Sequence, residues 1–110
     1  MRVAAIIPAR SGSKSISQKN IKSLFGKPLM AYSIRAAILT RNIDRVIVST
    51  DSEQYAQIAE LFGAEVPFLR PKDIAGDSST DYEFFKHAVE WFVENENQYP
   101  EILVNLRPTT

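Results

Sequence analysis

The sequence contains no cysteine. That absence removes disulfide frameworks, thiolate nucleophiles and cysteine-based zinc sites together, and leaves the redox compartment open. Net charge is absent too. The 13 Lys plus Arg balance 13 Asp plus Glu, so no global field draws the chain to nucleic acid or to an anionic membrane, and neither is expected as a partner. Long apolar runs are also missing: after Met1 and Arg2 the stretch VAAII ends at Pro8, too short for a signal-peptide core and far too short to span a bilayer. A cytoplasmic location is expected. With 110 residues, 45% of them hydrophobic, the chain fits one globular domain.

Glycine is scarce, with 4 in the chain, and this narrows the phosphate-loop motifs. GxGxxG needs three close glycines, whereas only Gly12 and Gly26 lie near the first apolar run. GxxxxGK[ST] fails because Gly26-Lys27 is followed by Pro28.

What is present is an alternation of strand-like and helix-like segments. Residues 3–7, VIVS at 46–49 and ILVNL at 102–106 are continuous apolar runs, as expected of parallel strands buried on both faces. A helix is expected over PLMAYSIRAAIL, with Pro28 at its first position and Met30, Ile34, Ala37, Ile38 and Arg41 as its stripe. A second helix is expected from Asp51, capped by that carboxylate with Gln54 reaching back, and stopped near Phe62 by Gly63 in a left-handed conformation. AEVPFL then reads as a short strand at a sheet edge, because Pro67 removes a ladder donor. The capping box Thr80-Asp81-Tyr82-Glu83 starts a third helix, with Phe84, Phe85, Ala88, Val89 and Phe92 as its apolar face and the polar run ENENQ at its end. The pattern is α/β: an open parallel sheet with helices on both faces.

In such sheets ligands bind beyond the carboxyl ends of the strands, where the strand order reverses. The segment there after the first strand, 8–27, is long for its kind and holds Arg10, Lys14 and Lys19 with no Asp or Glu from 6 to 20. In RSGSK, Gly12 permits curvature, the amides and the Ser11 and Ser13 hydroxyls supply donors, and Arg10 and Lys14 supply charge, a combination suited to a di- or triphosphate. The alternative is a solvated loop whose cations pair with surface acids. Arg70, in LRP, falls at the same edge. Asp51 reads as a helix cap before a metal ligand, Asp77 and Asp81 read as turn or cap residues, and His87 reads as a packing or surface histidine, so no metal ligand is assigned.

Taken in order, IIPARSGSKSISQKN, GKPLMAYSIRAA, VIVSTDSE, FGAEVPFLRP, AGDSSTD and LRPTT resemble the acylneuraminate cytidylyltransferases, the CMP-sialic acid synthetases and their relatives for other nonulosonic acids. The resemblance implies a Rossmann-like fold of the nucleotide-diphospho-sugar transferase type and a nucleotidyltransferase reaction. In that reaction the anomeric hydroxyl of a nine-carbon 2-keto sugar acid attacks the α-phosphorus of CTP and releases pyrophosphate, with Mg²⁺ as cofactor. It further implies that Arg10, Lys14 and Lys19 bind the triphosphate, that Asn20 binds the nucleotide and that Arg70 lies near its base and ribose. With Ser11, Gly12 and Ser13 of the same loop these make the expected nucleotide-binding set, in which Arg10 and Lys19 are expected to act catalytically.

Many sialic-acid members read LQPTSPLR where this chain reads LRPTT. Arg107 therefore stands in the place of a glutamine that helps bind the sugar, and the acid stays open among N-acetylneuraminate, legionaminate, pseudaminate and others; the base could be guanine. Family members are longer than this chain, so residues 1–110 are expected to be the nucleotide-binding N-terminal part of a single, truncated α/β domain, inactive alone, with the metal ligands beyond residue 110 and a homodimer at full length. The alternatives are a 3-deoxy-manno-octulosonate or other sugar nucleotidyltransferase, and a non-catalytic nucleotide-binding module.

Overall fold

The structure, a computed structural model, describes residues 2–9, 23–24, 27–71 and 81–106. Along the chain run β1 (Val3–Pro8), a short antiparallel pair β2 (Ser23–Leu24) and β3 (Lys27–Pro28), α1 (Leu29–Leu39), β4 (Arg45–Ser49), α2 (Glu53–Leu61), α3 (Asp81–Glu96) and β5 (Ile102–Asn105). β4, β1 and β5 form a parallel sheet in that order. Ala4 stands beside Arg45 on one side and Leu103 on the other, and Ile6 beside Ile47 and Asn105.

β1 is paired on both edges and covered on both faces, which is why its apolar run is unbroken. Successive strand side chains point to opposite faces. Ala5, Ile7, Val46 and Val48 meet Met30, Ile34 and Ala37 of α1 and Tyr55 and Ala59 of α2. Ile6 and Ile47 meet Phe84, Ala88 and Phe92 of α3. Helices therefore cover both faces of an open parallel sheet, as expected. Burying one such isoleucine contributes roughly 1.5–3 kcal/mol, and truncating Ile6 to alanine is expected to cost about 2–5 kcal/mol because a cavity is left as well.

The strand expected over AEVPFL does not form a ladder. Glu65 alone bridges to Ile47: its N–H donates to the Val46 carbonyl at 2.9 Å, and its carbonyl accepts the Val48 N–H at 3.0 Å. The next parallel bond would need an N–H at Pro67, which has none. The segment does lie at the sheet edge beside β4, as its proline implied.

Three helix details also differ from expectation. Pro28 pairs with Ser23 in β3, so α1 begins at Leu29. Its stripe buries Met30, Ile34 and Ala37, whereas Ile38 is half exposed and Arg41 falls in the turn after the helix, which Thr40 closes by donating its N–H to the Ala37 carbonyl. The cap of α2 is Ser52, whose Oγ accepts the Tyr55 N–H at 3.2 Å, so Asp51 is not the cap.

The end of α2 is as expected. Gly63 has φ +101°, its N–H donates to the Glu60 carbonyl and the Ala64 N–H to the Ala59 carbonyl, a Schellman closure. α3 buries Phe84, Ala88 and Phe92 and half-buries Phe85 and Val89. The Thr80 end of its expected capping box lies outside the described residues. The helix stops at Glu96, inside ENENQ, where Asn97 takes φ 53°.

Candidate functional site

The chain leaves β1 for β4 on one side and later returns to β5 on the other, so the strand order reverses between β1 and β5. A ligand crevice belongs beyond the carboxyl ends there. The ends are drawn together by main-chain bonds: the Ala9 N–H donates to the Ser49 carbonyl at 2.9 Å and the Leu106 N–H to the Ile6 carbonyl at 3.1 Å. Ala9 is fully buried, so β1 delivers the chain to residue 10 from a fixed point. Arg10, Ser11, Gly12, Ser13, Lys14, Lys19 and Asn20, and likewise Arg107 and Asp77, lie outside the described residues. In sequence, Arg10 follows directly on Ala9 and Arg107 on Leu106, the ends of the two strands that flank the reversal.

Arg70 is the predicted site residue that the structure describes, and it is not a surface arginine. Its side chain is only 4% exposed. The Nε donates to Ser49 Oγ at 3.0 Å and Nη2 to the Ser49 carbonyl at 2.8 Å, while the main-chain N–H donates to the Thr50 carbonyl at 2.7 Å. The ring of Phe84, from the first turns of α3, lies 5.0 Å from the guanidinium carbon. A buried guanidinium needs hydrogen-bonded acceptors, and a ring face adds cation–π attraction. The residues that hold it, Ser49, Thr50 and Phe84, were not read as site residues from sequence; Phe84 was read there as part of the apolar face of its helix. A signal existed for two of them, since Ser49 and Thr50 are polar residues closing an apolar strand and both are fully buried.

Asp51 stands just beyond β4 at the same edge. The cap role it was expected to fill is taken by Ser52. Burial, and after it the nearby Asp51 carboxylate, pushes the Tyr55 phenol above its ordinary range. The Tyr55 hydroxyl is buried and has no hydrogen-bond partner among the described residues. His87 packs edge-on against Phe68, centroids 4.8 Å apart, which agrees with its packing role. Among the described residues no group of three or more His, Cys, Asp or Glu side chains could hold a metal ion, and no helix is long and apolar enough to cross a membrane.

Fold and edge together define an α/β protein of the Rossmann-like class, with its strand-order reversal between β1 and β5 and a clamped arginine beside β4. The chain belongs to the cytidylyltransferase family, whose pattern matches residues 4–106. It is 48% identical over 96 residues to the N-acylneuraminate cytidylyltransferase of Escherichia coli O18:K1:H7 (strain RS218 / NMEC), a match covering 87% of this chain and 23% of that protein. It is 49% identical over 79 residues to the CMP-N,N'-diacetyllegionaminic acid synthase of Legionella pneumophila subsp. pneumophila, covering 72% of this chain and 34% of that one.

The chain thus spans well under half the length of these two relatives. The resemblance read from the motifs is borne out. In fold it is similar to the solved structure of CMP:2-keto-3-deoxy-manno-octonic acid synthetase complexed with CTP, with a TM-score of 0.76 and 22% identity, covering 98% of this chain and 40% of that one.

Proposed function

We propose that residues 1–110 are the nucleotide-binding N-terminal part of a nucleotidyltransferase domain that activates a sialic-type nonulosonic acid with CTP. The anomeric hydroxyl of the acid forms a bond to the α-phosphorus, the bond from that phosphorus to the bridging oxygen of the β-phosphate breaks, pyrophosphate leaves and the hydroxyl proton passes to solvent or a base. One observation carries the reading: a segment with Arg10, Lys14 and Lys19 and no acid follows directly on the buried end of β1, at the strand-order reversal. The 48% identity to an N-acylneuraminate cytidylyltransferase supports the class of acid.

In this reading Arg10, Ser11, Gly12, Ser13, Lys14, Lys19 and Asn20 cradle the triphosphate, and Arg10 and Lys19 stabilise charge as pyrophosphate departs. Arg70 faces the nucleotide, and the Arg107 guanidinium suits the carboxylate of the sugar acid. Mg²⁺ would neutralise phosphate charge. It takes six oxygen ligands, however, and among the described residues Asp51 stands in no group of three or more acids or histidines that could hold it. The reaction would run in the cytoplasm, where nucleoside triphosphates are made, and the full-length enzyme would be a homodimer.

The test is titration of CTP, GTP, ATP and UTP against the chain and its Arg10→Ala variant, with pyrophosphate detection in the presence of candidate sugar acids. CTP is expected to bind, and Arg10→Ala to lose about 1.5–3 kcal/mol, roughly 10- to 150-fold in affinity. The 110 residues alone are expected to bind without releasing pyrophosphate. Unchanged CTP affinity in a folded Arg10→Ala would sink the placement.

A further inference from the structure

Arginine at a ligand edge normally keeps its long side chain mobile until a ligand orders it, and that ordering costs affinity. Arg70 is already ordered. Ser49 takes two donors of one guanidinium edge, Nε on its hydroxyl at 3.0 Å and Nη2 on its carbonyl at 2.8 Å. Phe84 lies against the plane, 5.0 Å from ring centroid to guanidinium carbon. The main chain of Arg70 is tied to Thr50, the next residue of the same strand end. Edge, face and backbone are thus all held by groups that are themselves buried: Ser49 and Thr50 are 0% exposed and Phe84 is 4% exposed.

We propose that Ser49 is a positioning residue for nucleotide binding: its hydroxyl and carbonyl fix the Arg70 guanidinium in its bound orientation, with Phe84 supporting the face. The inference rests on the reading of Arg70 as a nucleotide-binding residue. Its physical content is preorganisation. A cation whose direction is set before the nucleotide arrives needs no reorganisation when it binds, and it acts in a site shielded from water where its field is stronger. A serine suits this task because one small residue offers two acceptors spaced to match two donors of the guanidinium fork.

The experiment is a double-mutant cycle in CTP affinity, measured by calorimetry with Ser49→Ala, Arg70→Ala and the double variant, alongside Ser49→Thr and Phe84→Leu. Arg70→Ala is expected to weaken CTP binding roughly 10- to 150-fold, and Ser49→Ala about 3- to 10-fold. The double variant should be no weaker than Arg70→Ala, because Ser49 acts only through Arg70. Ser49→Thr, which keeps the hydroxyl, should restore most of the loss, and Phe84→Leu should lose affinity with the fold intact. A resolved Arg70 Nε–H resonance in the wild type should broaden by exchange in Ser49→Ala.

Unchanged affinity in Arg70→Ala would overturn the premise and the proposal together. Weakened Arg70→Ala beside unchanged Ser49→Ala would leave the premise standing and overturn the role of Ser49, as would additive losses in the double variant. Ser49→Cys, which keeps the volume and weakens the acceptor, runs in the same cycle, so loss of fold in Ser49→Ala leaves the outcome decisive.

Discussion

Arg45 at the start of β4 grips Glu96 at the end of α3 through two contacts, Nη1 to Oε1 at 2.5 Å and Nη2 to Oε2 at 3.1 Å. The same guanidinium reaches Glu65 with Nε at 3.0 Å and Nη2 at 2.7 Å, and lies 5.0 Å from the Phe92 ring centroid. One cation therefore ties the central sheet, the bridged edge segment and a helix at the amino end of the strands, opposite the Arg70 clamp. The two carboxylates raise the Arg45 pKa further above its already high value.

Arg45→Met is expected to destabilise the fold by about 1.5–3 kcal/mol in chemical denaturation, the range for hydrogen bonds to charged groups. Arg45→Lys should recover only part, because an ammonium cannot present a planar fork to two carboxylates. A lysine variant as stable as the wild type would show that charge alone suffices.

Acid should weaken the fold in a defined window. Asp44 accepts the Val3 N–H at 2.8 Å and the Arg2 N–H at 2.9 Å, and these bonds hold its carboxyl below the ordinary 3.8. The Arg45 hydrogen bonds hold Glu96 below the ordinary 4.5. A carboxylate depressed in the folded state contributes stability that is fully present above its unfolded value and is lost as pH falls through the folded one. The melting temperature is therefore expected to be level above pH 4.5 as far as these two groups are concerned and to fall below it. Asp44→Asn should flatten that fall; an unchanged profile would remove Asp44 from the account.

Ser52→Ala should cost about 1 kcal/mol, the usual worth of an N-cap hydroxyl. Asp51→Ala should cost less, since Ser52 and not Asp51 accepts the Tyr55 N–H. Equilibrium unfolding of both variants decides between the neighbours, and a larger loss at Asp51 would reverse the assignment.

Gly63→Ala should destabilise by about 1–2 kcal/mol, because an L side chain is strained at φ +101°. Its new Cβ would stand 2.9 Å from Ile38 Cδ1, a movable side-chain end, so strain in the backbone should dominate. Trimming the neighbour in Ile38→Val/Gly63→Ala should therefore rescue little in thermal melts.

The sheet and its covering helices were legible because their signals are local and redundant: VAAII and VIVS are apolar on both faces, and Met30, Ile34 and Ala37 repeat at helical spacing. The cap of α2 was not. Asp51 and Ser52 are adjacent and cap about equally well, and the choice fell to backbone that is extended at Ser52, with φ −113° and ψ 125°. Glu65 kept its edge position but lost its ladder to Pro67, a proline whose consequence was read correctly for place and too lightly for length. At the candidate site, strand order marks the edge at which such sheets bind ligands, and in sequence the cations follow directly on Ala9. The burial of Arg70 could not be read, since it depends on Ser49 and Phe84, from two separate elements, meeting across the fold.

The position of β1 has a kinetic consequence. It is the middle strand of the sheet, yet its two neighbours come from Arg45 onward and, much later, from Ile102 onward. The register of Val3 with Ile102 closes one of the longest loops available to the chain, and loop closure of that kind slows the search for the native state more than it lowers its final stability. Until β5 docks, one edge of the central strand offers unpaired amides and carbonyls to any passing strand. The risk this topology carries is thus concentrated in time, in the interval before the last pairing forms.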